Sequence, residues 1–195
     1  MVSLRYQILM KDASASPDRI AELLVHIGRA SRREDARAGL TAVQWACLRF
    51  FARANASTRT PSAFASFQAT TRGTASQVIK VLEARGLITR RPSPTDGRSV
   101  RFDLTEVGWH LLAHDPLGDL SGLLRALGRA ERAAFLATLS RLASGLASLK
   151  SAPAFGTCRD CTHFAASGDT GFCACMDAAL GVDEIDMLCA SYSGP

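Results

Sequence analysis

The sequence of 195 residues lacks any apolar run that approaches the roughly 20 residues of a membrane-spanning helix. Its first ten residues are too short and too polar for a secretory signal peptide. It also has no glycine-rich phosphate loop, no nucleophile–base–acid set and no paired carboxylates at catalytic spacing. These absences predict a cytoplasmic protein that is not an enzyme and has no membrane partner.

Cysteine is almost missing from the body of the chain and is concentrated at its end. Cys47 is alone among the first 157 residues, on an apolar helix face where it is expected to be a small buried side chain. The other cysteines are Cys158, Cys161, Cys173, Cys175 and Cys189. In a reducing cytoplasm, clustered cysteines are more often metal ligands or redox thiols than structural disulfides.

Charge divides the chain at the same place. Residues 156–195 carry six acids and one base, a balance of −5, so residues 1–155 carry +10. Such a split indicates two modules, and a basic body favours a polyanionic partner. Residues 59–101 alone hold eight bases and two acids, which suits contact with phosphates.

Apolar spacing and capping residues predict four helices in the first half of the chain. They span residues 17–33, 41–51, 61–67 and 71–85. The second should bury Val43, Cys47, Leu48 and Phe51, and the fourth should bury Ala75, Val78, Ile79 and Leu82. Gly86 should end the fourth helix in a left-handed conformation.

After Gly86 the spacing of apolar residues changes from the helical period to the two-residue period of strands. Residues 87–91 and 99–104 flank a turn rich in proline, aspartate and glycine, which predicts a β-hairpin. Three helices followed by such a hairpin form a winged helix-turn-helix, in which one helix enters the major groove and hairpin arginines reach the backbone or minor groove. The hairpin arginines expected to do so are Arg90, Arg98 and Arg101. A solvated surface is the alternative role for Arg85, Arg90 and Arg91.

Leucines recur at steps of three and four beyond a helix that begins at Thr105 and that Pro116 must interrupt. They are Leu117, Leu120, Leu124, Leu127, Leu139, Leu142, Leu146 and Leu149. The alternatives are a core helix and a helix that pairs with a second subunit. The length of this continuous seam favours the second subunit.

Four motifs resemble the MarR family of transcriptional regulators, in the family's order and spacing. They are LTAVQWACL at 40–48, VLEARGLITRR at 81–91, PTDGRS at 94–99 and LTEVG at 104–108. The resemblance covers about residues 18–149 and implies a homodimer that binds a pseudo-palindromic DNA operator, usually as a repressor. By position, it implies a recognition helix that uses Thr71, Arg72, Thr74, Ser76, Gln77 and Lys80, and a wing tip that uses Arg98 held by Asp96. The helix at 61–67 departs from the family because it is unusually rich in phenylalanine and small residues.

The tail has a metal-binding pattern. Two thiolates three residues apart, as at Cys158 and Cys161, can hold one ion or cluster. Thiolates select soft metals, which leaves zinc and iron–sulfur. Zinc is the commoner choice and His163 offers a mixed site, but the tail lacks the second Cys-x-x-Cys of a zinc ribbon. Its many apolar residues suit a cluster shielded from water, and a disulfide switch is the third alternative.

The order Cys-x-x-Cys-x-x-Phe, Gly-x-Cys and Cys-x-x-aromatic resembles the cluster-binding part of high-potential iron–sulfur proteins over about 35 residues. The resemblance implies one [4Fe-4S] cluster on Cys158, Cys161, Cys189 and one cysteine of the middle pair. We choose Cys173 because it follows Gly171 and Phe172 in the sequence, and Cys175 is the alternative.

The sequence thus predicts a mainly α protein with a small β-hairpin wing, of α+β class. Its parts are an N-terminal dimerisation region (1–39), a winged helix-turn-helix (40–108), dimerisation helices (109–150) and a Cys-rich tail (151–195). The predicted function is a dimeric DNA-binding repressor that senses redox state, oxygen or iron through a [4Fe-4S] cluster. The alternative is a MarR-like regulator with a structural zinc that responds to a small phenolic or lipophilic ligand.

Replacing Arg98 with alanine should cost about 1–3 kcal/mol of DNA-binding free energy, because a groove-reading arginine loses its hydrogen bonds. An electrophoretic shift titration measures this change. Unchanged affinity would remove Arg98 from the interface.

Overall fold

The structure is a computed structural model that describes residues 16–31, 39–92 and 100–194. In these ranges the helices are α1 Pro17–Ala30, α2 Ala42–Arg53, α3 Pro61–Phe67, α4 Arg72–Ala84, α5 Glu106–Leu112, α6 Gly118–Ala126, α7 Arg129–Leu149 and α8 Val182–Ile185. The strands are β1 Ile88–Pro92, β2 Val100–Leu104, β3 Gly156–Thr157, β4 Phe164–Ser167, β5 Thr170–Cys173, β6 Ala178–Leu180 and β7 Leu188–Cys189.

Helix α2 forms the centre of the main core. Thr41 caps it in a reciprocal capping box, since its hydroxyl accepts from Gln44 N at 3.4 Å and its own N–H donates to Gln44 Oε1 at 2.9 Å. The predicted inward face is largely confirmed, with Trp45 and Phe50 added to it. Val43 was predicted to be buried and is 36% exposed. It lies in the first turn of α2 and lines an open cavity beside that helix.

Helix α4 and the hairpin follow the sequence prediction closely. All four predicted inward residues of α4 are buried, and Gly86 ends the helix with φ +68°. Strands β1 and β2 pair antiparallel from Ile88 opposite Leu104 to Pro92 opposite Val100. The predicted wing tip, with Asp96 and Arg98, lies outside the described residues.

The C-terminal helices correct one prediction. Helix α6 ends at Ala126 and α7 begins at Arg129, so the leucine seam is divided between two helices instead of running along one. The cause is the extended backbone at Leu127 (ψ 144°) and Gly128 (ψ 151°). None of the described residues of α1, α6 and α7 is buried, so their apolar side chains face outward in the single chain. Within the described ranges, no helix has both the length and the apolar character needed to cross a membrane.

The tail folds into two small antiparallel sheets. Strand β3 pairs with β7, and β5 lies between β4 and β6. A second, smaller core lies between these sheets and α8 and contains Cys158, Cys173, Leu180 and Ile185.

Gly108 fixes the approach of α5 to the hairpin. A β-carbon at this position would overlap the carbonyl oxygen of Leu87. Gly108→Ala should therefore destabilise the fold by about 1–3 kcal/mol through overpacking, measured as a lower midpoint of thermal or urea unfolding. Gly122→Ala in α6 is the matched control, because its β-carbon would meet only a flexible Arg125 atom at 4.0 Å. Equal midpoints for the two variants would contradict the steric argument.

Candidate nucleic-acid interface and thiol site

Helix α4 presents a polar face opposite its buried one. The exposed side chains are Thr71, Arg72, Thr74, Gln77 and Lys80, and Ser76 is half-buried. The structure thus brings all six predicted recognition residues to one helix. A helix with such a polar, basic face has the composition that reads base edges and phosphates in a major groove.

Two of these six residues also have a structural role. The Thr71 hydroxyl caps α4 by accepting from Thr74 N at 3.1 Å, and it hydrogen-bonds the Thr74 hydroxyl at 2.9 Å. Arg72, Gln77 and Lys80 therefore have the side chains best suited to DNA contact.

The arginines on and next to the hairpin differ in their exposure to solvent and in their contacts. Arg90 is exposed on β1, opposite Phe102 of β2. The Arg101 side chain is only 26% exposed and lies 4.0 Å from Asp103, and its buried Nε has no partner. Arg85 donates to the carbonyl oxygen of Gly39 at 2.8 Å, so it joins the end of α4 to the start of the winged helix.

Cys158 and Cys173 lie in the small core, and Cys161 and Cys189 are electrostatic neighbours of Cys158. Cys158 begins a 3-10 turn just after β3, and Cys189 ends β7 opposite Gly156. Cys173 ends β5 on its inward side, because the strand alternates exposed and buried residues. Cys158, Cys173 and Cys189 are buried and Cys161 is half-buried, whereas Cys175 is exposed. We call Cys158, Cys161, Cys173 and Cys189 the thiol site.

Electrostatic interactions join Cys158 to the other three thiols of the site. Burial first, and then the neighbouring charges of Cys189, Cys173, Cys161 and Glu184, raise the pKa of Cys158 to about 11. Cys175 is not among these neighbours. In the described part of the chain, no group of three or more His, Cys, Asp or Glu side chains is arranged to hold a metal ion.

Apolar side chains enclose the thiol site. Leu180 and Ile185 are buried within it, and Phe164 and Met176 pack against it. Gly171 makes room for this arrangement, because a β-carbon there would overlap the Phe164 ring. The surroundings thus have the low water content in which a metal–thiolate centre is protected.

The end of the chain closes over the turn between the first two cysteines. Ser193 N donates to Cys161 Sγ at 3.5 Å, and Thr162 N donates to Ser193 O at 2.9 Å. The Tyr192 ring lies over Gly156, where a β-carbon would be 2.6 Å from the ring. Burial, the largest cause, raises the pKa of the Tyr192 phenol, and the charges of Asp160 and Cys161 act in the same direction.

Sequence reasoning missed a further contact, which joins the tail to the winged helix. Asn55 N donates to Leu188 O at 2.9 Å, and Ala190 N donates to the Thr58 hydroxyl at 2.8 Å. These bonds lie on either side of Cys189. Asn55 and Thr58 are the buried polar residues of the described chain, 7% and 1% exposed. We call residues 55–58 the docking turn.

A cavity of about 930 Å³ lies where the tail meets the winged helix. Apolar side chains of α2, α3 and the tail line it, among them Val43, Phe50, Phe67 and Met187. Arg49 and Arg53 line it together with Asp183 and Asp186, and Arg49 is paired with Asp115 at 2.7 Å. Its size is within the range of small-molecule pockets.

Comparison with solved structures supports the winged-helix reading of this geometry. A crystal structure of a MarR family transcription regulator is 25% identical, over 67% of this chain and 87% of that chain, with a TM-score of 0.50. The S. aureus MepR–DNA complex is 19% identical, over 67% of this chain and 96% of that chain, with a TM-score of 0.53. FabT of Streptococcus pneumoniae, solved in complex with DNA, is 22% identical over 69% and 99%, with a TM-score of 0.51.

The similarities to MepR and to FabT show the fold alone. None of the curated proteins compared with the chain matches it. The family model of the MarR family matches residues 38–99, from the start of α2 to the wing. Residues 38–99 are therefore similar to the winged helix of the MarR family, and the fold around them is that of the solved MarR family transcription regulator.

Proposed function

We propose that this protein is a homodimeric, DNA-binding transcriptional repressor that senses redox state, oxygen or iron through a [4Fe-4S] cluster held in its tail. The single observation that carries the sensing part is that Cys158 packs with Cys173 in a small apolar core docked on the winged helix and has Cys161 and Cys189 as further neighbours. The MarR match agrees with the expectation that the chain is not an enzyme.

DNA binding is supported by the polar face of α4 and the exposed Arg90 on the hairpin. MepR and FabT, which share the fold, were solved in complex with DNA. Dimerisation is supported by the exposed apolar side chains of the outer helices. Ile20 and Leu23 in α1 are 47% and 49% exposed, and Leu142 and Leu146 in α7 are 53% and 54% exposed. A second subunit would cover these surfaces, as large exposed apolar patches are uncommon on monomers.

The donor chemistry of the four thiols suits an iron–sulfur cluster, and the side chains would close further on binding it, since no group of three or more is arranged to hold a metal ion in the described residues. Thiolates are the usual ligands of such clusters, and a bound cluster would supply one-electron chemistry at a potential set by its surroundings. Cys158, Cys161, Cys173 and Cys189 would hold it, while Leu180 and Ile185 limit access by water. The Ser193 N–H aimed at Cys161 Sγ would stabilise a thiolate at this position.

The choice of Cys173 over Cys175 is supported by their different positions at the end of β5. Cys173 points inward at the last residue of β5 and acts electrostatically on Cys158. Cys175 lies beyond the strand end and is exposed. Using Cys175 would require a rearrangement of residues 174–177, whose Asp177 already has φ +49°.

The second candidate is a MarR-like regulator with a structural zinc in the tail and a small phenolic or lipophilic ligand. The cavity beside α2 favours it, because aromatic and aliphatic side chains line that space together with two arginines. The same thiols would have to close further around zinc, since Zn–S bonds are about 2.3 Å long.

Anaerobic purification should yield a brown protein with broad thiolate-to-iron absorption and about four iron and four sulfide per chain. Cys173→Ser should lose most of this iron, because the buried ligand is gone. Cys175→Ser, the matched control two residues away, should keep it. A colourless protein with stoichiometric zinc would exclude the cluster, and loss of iron only in Cys175→Ser would reverse the ligand assignment.

Lys80→Ala should weaken binding to all duplexes by a similar factor and lower the slope of log affinity against log salt by about 1, as expected when one phosphate contact is lost. A fluorescence-anisotropy titration over a salt series measures both quantities. Lys150→Ala, at the end of α7, removes the same charge from another element and should leave the slope unchanged. If both variants change the slope equally, the prediction that Lys80 of α4 contacts a DNA phosphate is wrong.

A further inference from the structure

The connection between the thiol site and the DNA-binding face runs through the backbone of the chain. Cys189 has Leu188 on one side and Ala190 on the other, and both neighbours bond to the docking turn. Asn55 N–H reaches Leu188 O at 2.9 Å, and Ala190 N–H reaches the Thr58 hydroxyl at 2.8 Å. A residue fixed at both neighbours cannot shift without moving the turn or breaking these bonds.

The docking turn is itself closed and buried. Thr58 N donates to the side-chain oxygen of Asn55 at 2.9 Å and also to its carbonyl oxygen at 3.0 Å. Buried polar groups are costly unless they are paired. Because Thr58 is only 1% exposed, the loss of its bond to Ala190 cannot be repaired by bulk water at that position.

From the turn, two connections lead to the DNA-binding elements. Thr60 N donates to Thr58 O at 2.6 Å, and the Thr60 hydroxyl caps α3, the helix packed against α4. Phe102 N, in the wing strand β2, donates to Arg59 O at 2.9 Å. The Arg59 guanidinium adds an ion pair to Asp103 of β2 at 2.9 Å and a bond to Ala54 O at 2.8 Å.

Arg59 also contacts the tail directly. Its Nη2 lies 4.0 Å from Met187 Sδ, next to Leu188. The Arg59 side chain is 22% exposed. Its contacts with Asp103, Ala54 and Met187 connect the tail to the wing.

We propose that Asn55 and Thr58 are positioning residues that transmit the occupancy of the thiol site, through the backbone beside Cys189, to the wing and to α3. This inference rests on the proposed cluster as its input. When Cys189 is a ligand, the carbonyl of Leu188 and the N–H of Ala190 are held against the docking turn. When Cys189 is released, β7 moves away more easily, and Arg59 loses part of its support at Met187. The two arrangements differ in the placement of β2 and α3, which is the differential contact that coupling requires.

The test compares DNA affinity with the site filled and empty. The probe is a duplex selected from a random-sequence library by the wild-type protein, titrated anaerobically with cluster-loaded and chelator-stripped full-length dimer. The wild-type ratio of the two affinities should be at least about 5-fold. Thr58→Val keeps the shape of the side chain and removes the acceptor of Ala190, so its ratio should fall towards 1 at unchanged iron content.

Three further variants make the result specific. Thr58→Ser retains the hydroxyl and should keep the wild-type ratio. Thr138→Val makes the same change on α7, where the hydroxyl bonds only Ala134 O within the helix, and should also keep it. Asp103→Asn weakens the ion pair between Arg59 and the wing strand β2 and should lower the affinity ratio. This variant keeps the proposal testable if Thr58→Val does not fold.

Hydrogen exchange gives a second readout. A general loss of stability would raise exchange throughout the protein, whereas the proposed connection predicts an increase in particular segments. Thr58→Val should increase exchange in residues 100–104 and 188–190 of the loaded protein and leave α4 unchanged. A wild-type affinity ratio in iron-loaded Thr58→Val and Asp103→Asn would overturn the connection and leave the cluster function standing. An iron-free wild type, or a wild-type ratio of 1, would instead overturn the proposed sensing and this inference with it.

Discussion

The two hydrogen bonds on either side of Cys189 join a tail of small sheets to the core of the winged helix. The tail has little apolar surface of its own, since its core consists of four buried residues, and a core this small is marginal without further support. The docking turn supplies that support by pairing two backbone groups that would otherwise be unsatisfied. Phe155 adds an aromatic contact, 5.2 Å from the Phe67 ring and 6.4 Å from the Phe50 ring.

This dependence explains a departure from the family pattern. Helix α3 is rich in phenylalanine, which has no evident use in a helix that contacts phosphates. In the structure Phe64 is fully buried against Phe50 and Phe51, and Phe67 packs against Phe155 at the start of the tail. The aromatic composition of α3 thus serves the attachment of the tail, and aromatic pairs of this kind add about 0.5–1.5 kcal/mol each beyond burial.

The winged helix could be predicted from the sequence because its signals are local. Caps at Thr41 and Thr71, the 3.6-residue period of α4 and the left-handed Gly86 each fix an element within a few residues. The four cysteine ligands were predicted from motif resemblance and stay a prediction, and the strand alternation of β5 favours the choice of Cys173 over Cys175. The break at Leu127 was missed because leucine spacing reports the face of a helix and not its continuity. The docking turn was missed because the tail contributes only backbone groups to both bonds, Leu188 O and Ala190 N. Backbone groups leave no pattern in the sequence.

The size of the docking contact limits how strongly the tail can influence DNA binding. A buried hydrogen bond contributes about 0.5–1.5 kcal/mol net, so the pair at Asn55 and Thr58 amounts to about 1–3 kcal/mol. A ligand can shift an equilibrium only by its differential interaction with the two states, so this pair supports a change in affinity of about 5- to 150-fold. That range is adequate for regulation. The tail also packs against the main core, through Phe155, Leu188 and Ala190.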